Sequence, residues 1–364
     1  MYKRFLAFFF IVITLIAIIF FYYRSEAKEQ KLGHILDQIT SELDARLKTN
    51  QMDALELAIV LSQNSALTKA LENDDEDLGY SILSNIVKKI QKNTGRFVRA
   101  QVITADYHIF ARSWDTIYAG MPLGSYRTDL NYFKTSSSPR TSIEIGRKLG
   151  FKATVPMYKN KKLLGFMEVI GFFEPLTELF RAQGIDLYVL MNDKYYDTAI
   201  FMQENLIINK YIVANTNYNA AHVKILKSID FKRLKTNRIL SKEHNEIFYE
   251  AMHNGAGETI GAFVFILPEK YLDYFKDPED DISFLINVTR SSLYSIEKEK
   301  TYQSNMYGTY TPREMLYLKD IISQEDEPEF TQEAYKQLNH YSKDELIQLM
   351  LGHKIVKRID GKIK

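Results

Sequence analysis

The run from Phe5 to Tyr23 contains Phe8, Phe9, Phe10, Ile11, Val12, Ile13, Leu15, Ile16, Ile18, Ile19, Phe20 and Phe21 and no charged residue. A stretch this apolar has no stable place on a water-facing surface. As a helix rising ~1.5 Å per residue it covers about 28 Å, close to the hydrocarbon thickness of a bilayer, and Tyr22 and Tyr23 fall at the level of an interfacial aromatic belt. The alternative is a cleaved signal peptide. The run exceeds the usual signal core, however, and Tyr22-Tyr23-Arg24-Ser25 has no small-x-small cleavage site. The sequence therefore predicts an uncleaved transmembrane anchor over 1–24. Lys3 and Arg4 nearly balance Arg24, Lys28 and Lys31, so charge alone does not orient it. The short N-terminal flank and the absence of cysteine are compatible with an exported body. The later apolar runs, Ile260–Leu267 and Ile282–Val288, are too short to span, which predicts that everything after residue 24 lies on one side of the membrane.

From Ser25 to about Glu72 the chain is rich in helix formers and lacks proline. Leu32, Ile35, Leu36, Ile39, Leu43 and Leu47 recur at spacings of three and four. This predicts an amphipathic stalk helix continuing the anchor, with a polar break near Asn50. Its apolar stripe is suited either to pairing with a second copy of the chain or to ordinary core packing. A turn at Asn73–Asp77 and a helix over Leu78–Lys92 follow, ending at Gly95. Beyond Gly95 the period becomes two. Hairpin strands are predicted around Val98–Val102 and Ile109–Ala111, and again over Thr141–Lys148, Phe151–Tyr158 and Leu163–Phe172, with a turn at Lys159-Asn160-Lys161-Lys162. A helix over Pro175–Gln183 closes this unit. A second sheet is predicted from Asp186–Met191, Arg238–Leu240, Ile247–Met252 and Thr259–Leu267, with a short helix over His222–Ile229; its long polar loops predict a smaller domain. The chain then returns to helix through about Gln303, followed by an acidic linker over 325–329 and a charged helical tail. The tail's basic end (Lys354, Lys357, Arg358, Lys362, Lys364) suits anionic lipid, although packing back on the body is favoured. The fold class is α+β, with boundaries at 1–24, 25–93, 94–183, 184–268 and 269–364.

Chemistry is densest between residues 112 and 168. Arg112, Trp114, Asp115, Tyr118, Tyr126, Arg127, Glu144, Arg147 and Glu168 lie at strand ends and on an irregular loop, and the group includes the chain's only tryptophan. Aromatic walls, guanidinium forks for a carboxylate and acids for an amine make a small-ligand site. The same arginines equally fit internal pairing with Asp115, Glu144 and Glu168, and Trp114 taken alone fits a core position. No catalytic residue, metal site or cofactor is predicted. There is no cysteine, and the seven histidines (His34, His108, His222, His244, His253, His340, His353) are scattered without metal-ligand spacing. Lys and Arg number 47 against 46 Asp and Glu, so no general attraction to nucleic acid exists.

The run Arg112-Ser113-Trp114-Asp115, then Tyr118, Gly120, Tyr126-Arg127, Ile143-Glu144-Ile145-Gly146-Arg147, Val155-Pro156 and Gly165-Phe166-Met167-Glu168-Val169 resembles the membrane-distal half of double Cache domains. These are the PAS-like extracytoplasmic sensors of bacterial chemoreceptors and sensor kinases, and the resemblance is strongest to the double sensory domain of two-component sensor kinases. It implies two PAS-like antiparallel-sheet subdomains on a long N-terminal helix, the outer one holding a small organic ligand of the amino acid or organic acid class. It also implies a single-pass protein of the bacterial inner membrane with a periplasmic body. Such receptors normally continue into a second span and a signalling domain, and residues 270–364 show no pattern of either. The expected function is ligand sensing relayed through a membrane signalling partner; the alternative is a scaffold using the fold without a ligand.

Overall fold

The computed structural model describes residues 2–352 apart from 96, 117, 275–305, 325 and 340. Helix α1 runs unbroken from Tyr2 to Ser62. Asn50 does not interrupt it. One polar residue cannot end a helix whose buried face continues on both sides, and the break comes instead at Asn64, which N-caps α2 (Ser65–Glu72) by accepting a hydrogen bond from the Leu67 amide. Helix α3 (Glu76–Thr94) is capped by Asp75 and ends on Gly95 with φ 67°. The stripe Leu32, Ile35, Leu36, Ile39, Leu43 and Leu47 is buried in the chain's own core against both sheets. It is therefore not the surface on which a second copy would pair. Within 2–27 side chains are described only at scattered positions, and among the described residues no helix is long and apolar enough to cross a membrane.

The first sheet comprises β1 (Arg99–Thr104), β2 (Ile109–Arg112), β3 (Arg140–Ile145), β4 (Leu149–Lys159) and β5 (Lys162–Gly171), in the order β2-β1-β5-β4-β3 with all pairs antiparallel. Asn160 and Lys161, both at positive φ, close the β4–β5 hairpin, which is the twist a two-residue turn requires. One face presents Ala100, Val102, Ala153, Val155, Met167 and Val169 to the core it shares with α1. The other face carries polar side chains at its centre and a smaller apolar cluster of Ile103, Ile109, Phe166, Leu123 and Leu130 at one end.

Helix α4 (Glu174–Ala182) leads to β6 (Asp186–Asn192), β7 (Ile207–Ile208), β8 (Tyr211–Val213), α5 (Val223–Ser228), α6 (Phe231–Asn237), β9 (Ile239–Lys242), β10 (Asn245–His253) and β11 (Thr259–Pro268). The strands form a second antiparallel sheet in the order β7-β8-β6-β11-β10-β9. With six strands against five it is not the smaller sheet: the polar stretch between β6 and α5 folds into β7 and β8, two strands too short to show a period. The sheets touch where the Gly255 amide donates to Glu144 Oε1 at 3.1 Å and the Phe201 amide to the Arg147 carbonyl at 3.1 Å.

The helix expected from Pro268 to Gln303 begins as a 3-10 turn, Glu269–Tyr274, and otherwise lies outside the described residues. Three short helices follow: α7 (Pro312–Leu318), α8 (Glu327–Leu338) and α9 (Lys343–Met350). The acidic stretch is not a linker. Glu327 and Glu329 occupy the first turn of α8, where acidic side chains favour the helix, and Asp326 receives Lys88 Nζ at 2.7 Å. The tail thus packs on the body, through a cluster of Tyr307, Tyr310, Met315, Leu318 and Phe330 against Phe97 and Trp114. Its basic end lies outside the described residues.

Candidate ligand site on the first sheet

The site is built by strand register. Directly paired residues of antiparallel strands share a face, so Arg112, Gln101, Glu168, Thr154 and Arg140 form one polar row across all five strands. The adjacent row is Arg99, Ile170, Lys152 and Ser142. The loop after β2 lies over these rows and supplies Trp114, Asp115, Tyr118, Tyr126 and Arg127.

Glu168 is the hub and is fully buried. It accepts Arg127 Nη1 at 3.0 Å and Nη2 at 2.5 Å, Gln101 Nε2 at 2.6 Å and Thr154 Oγ1 at 3.0 Å. Burial raises its pKa, but the Arg127 charge and hydrogen bonds outweigh burial, and the net shift is downward. Arg127 gives its remaining donors to Asp129, Nε and Nη2 each at 2.8 Å. Arg112 donates through Nε to Gln101 at 3.0 Å and approaches Asp115 at 3.4 Å. It stacks on Trp114 and Tyr118 with 5.0 and 5.1 Å to the ring centroids. Two of the three predicted arginines are therefore engaged by neighbouring acids and an amide, and serve as the floor of the site rather than as open forks.

Three predicted or newly located groups differ. Arg147 lies over Tyr126 at 4.2 Å, and its Nε has no hydrogen-bond partner among the described residues. Among the described residues Glu144, 6% exposed, accepts only neutral donors, Ser142 Oγ at 2.7 Å and the Gly255 amide. Burial raises its pKa. Lys152, 4% exposed, has an ammonium without any hydrogen-bond partner among the described residues. Gly146 makes its room, since a Cβ there would stand 2.9 Å from Lys152 Nζ. Burial and the nearby Arg127 charge lower the Lys152 pKa to about 8. Glu144 and Lys152 are diagonal neighbours on β3 and β4, and no ion pair joins them. Trp114 is half-buried and packs with the tail cluster.

Arg99, Gln101, Asp129, Lys148, Lys152 and Thr154 were not singled out by the sequence. The available signal was alternation: Lys152 and Thr154 interleave with Phe151, Ala153 and Val155 on a strand that is buried on both faces.

The family pattern described as the double sensory domain of two-component sensor kinase matches residues 32–272. No curated protein sequence matches. Among solved structures the chain is similar to the sensor domain of the histidine kinase DctB of V. cholerae, at 11% identity and a TM-score of 0.39, over 64% of this chain and 97% of that one. It is also similar to the periplasmic domain of Vibrio cholerae LuxQ, at 14% identity and a TM-score of 0.37, over 63% and 98%. A third is the ligand-binding domain of the Pseudomonas fluorescens chemoreceptor CtaA in complex with L-serine, at 10% identity and a TM-score of 0.31, over 64% and 99%.

Proposed function

Because the chain belongs to the family of double sensory domains of two-component sensor kinases, we propose that it senses a small zwitterionic ligand of the amino acid class on the first sheet. In this reading it is anchored in the bacterial inner membrane by residues 1–24, its body is extracytoplasmic, and it relays its state to a separate membrane signalling protein. The observation that carries the ligand is the pair Lys152 and Glu144. Two opposite charges are buried side by side, and neither has an ion-pair partner among the described residues. A buried charge is costly until it is paired. A zwitterion brings a carboxylate to Lys152 and an ammonium to Glu144 and leaves the net charge unchanged. The Arg127–Glu168–Gln101 network holds the floor. The anchor is supported by the uncharged run itself and by Phe10, Ile16, Ile18 and Phe20, which are largely exposed on α1.

The test is a thermal-shift screen of the full chain in detergent against the standard amino acids and the organic acids that lack their amino group. An amino acid should raise Tm by several degrees while its deaminated analogue does not, and Lys152→Met should abolish the rise while the protein remains folded. A screen with no stabilising amino acid would favour the scaffold reading instead.

A further inference from the structure

At the β1 edge of the same face, Arg99 is 3% exposed and boxed by aromatic rings: its Cζ is 4.2 Å from the Tyr310 centroid, 4.9 Å from Phe172, 5.4 Å from Trp114 and 5.9 Å from Phe97. Its Nη1 donates to Glu314 Oε1 at 2.8 Å, while Nε and Nη2 have no hydrogen-bond partner among the described residues. Lys148 is buried beside it, with Nζ 4.8 Å from the Phe172 ring. Burial lowers the Lys148 pKa, and the charge of Glu314 is the largest influence opposing this. Both Tyr310 and Glu314 come from the C-terminal segment, which thus presents an aryl ring and a carboxylate to one guanidinium. The same first turn of α7 is also fastened to the second sheet's unit, where Arg313 Nη2 meets Glu204 Oε1 at 2.6 Å.

We infer that Arg99 and Lys148, walled by Phe97, Trp114 and Phe172, form a carboxylate-binding site whose resident occupant is Glu314, so that an aryl carboxylate and the C-terminal segment exclude one another. The site adjoins the Lys152 position, separated from it by Ile170 in the same cross-strand row, and does not depend on it. A guanidinium with one bonded and two unbonded nitrogens in an aromatic box suits a second, better-placed carboxylate. Binding of such a ligand would then release α7 from both units at once, converting occupancy into a change at the segment joining them.

The probe is phenylacetate, titrated into the full chain in detergent. Trp114, the only tryptophan, reports from within the contact by its emission, and hydrogen exchange over 311–318 reports release of α7. Phenylacetate should shift the emission and speed that exchange at least about tenfold. Glu314→Gln and Arg313→Ala should each lower the concentration required about tenfold, because both loosen the competitor. Arg313→Ala leaves the anion site intact and keeps the test valid if Glu314→Gln fails to fold. Unchanged exchange and emission in all three proteins would overturn the competition, as would variants needing as much phenylacetate as the parent. An amino acid that raises Tm while 311–318 stay protected against phenylacetate leaves sensing at Lys152 standing and removes this inference. Phenylacetate release without any amino acid response does the reverse.

Discussion

The Lys152 ammonium sits on β4 in a fully buried position, beside Arg127 and short of hydrogen-bond partners, and its pKa is lowered to about 8 from 10.5. The unfolded chain therefore holds a proton that the folded chain has lost between those values, and stability rises with pH across that window. The difference corresponds to roughly 2–4 kcal/mol of destabilisation at neutral pH. In the absence of ligand, Tm followed from pH 7.5 to 9.5 should rise more in the parent than in Lys152→Met, since Lys148 is common to both; equal slopes would refute a strained Lys152. The two acids beside Arg127 stabilise the fold where they are ionised, whereas Lys152 costs stability where it is charged. Asp129 is lowered to about 2 from 3.8, the burial that opposes this being outweighed by Arg127. Its contribution is complete above about pH 4 and disappears as pH falls toward 2. Glu168 is lowered too and adds to the same acid lability. Replacing Glu168 with Gln leaves Arg127 buried with Asp129 alone and should cost about 3 kcal/mol in urea unfolding at pH 7, as breaking a buried pair does.

Among the elements, helix α3 approaches the first sheet so closely that a Cβ at Gly79 would stand 2.5 Å from Phe110 Cε1. Phe110 is fully buried and follows a bulge between β1 and β2, which places it on the helix side of the sheet. Gly79→Ala should therefore destabilise the fold by about 1–3 kcal/mol despite alanine's better helix propensity, read as a lower urea midpoint with unchanged slope. This contact also shows where sequence reading stops. Caps and hairpins are local and were legible: Asp75 before α3, Gly95 after it, and Asn160-Lys161 between β4 and β5. The closeness of α3 to β2 depends on packing that no local pattern encodes. The candidate site divides in the same way. Arg112, Arg127, Glu144 and Glu168 stand out by residue type in short motifs. The row that Arg112 and Glu168 share with Gln101 and Thr154 exists only once β1 pairs with β5, a strand distant from it in the chain, and the loop carries Arg127 back over that row. Likewise Arg99 looks like an ordinary strand start until Glu314, 215 residues away, reaches it.

Across the whole molecule, one rod and one clasp connect the parts. Helix α1, at ~1.5 Å per residue, extends about 90 Å from the apolar run through a core shared with β3, β4, β5 and β9. Soon after the apolar run, Lys28 meets Glu246 of β10 at 2.8 Å, tying the rod to the second sheet near the proposed bilayer surface. Every described buried side chain of α1 lies at Leu32 or beyond. No described side chain before Leu32 belongs to the core, which is what the proposed attachment role of residues 1–24 requires. A chain beginning at Glu26 should then partition into the soluble fraction after alkaline carbonate washing while the full chain stays in the membrane pellet. Both should show the same Trp114 emission and similar Tm, because Lys28, Leu32 and all later contacts are retained. The clasp of α7 makes this comparison informative, since Arg99–Glu314 and Arg313–Glu204 require both sheets to hold their native places. If the shortened chain still sedimented with membranes, the lipid contact would lie elsewhere, and the basic residues from Lys354 to Lys364 would be the next to remove. If it were soluble but its Trp114 emission moved to the red, the anchor would be helping to seat the tail, and α1 would act as a lever rather than a tether.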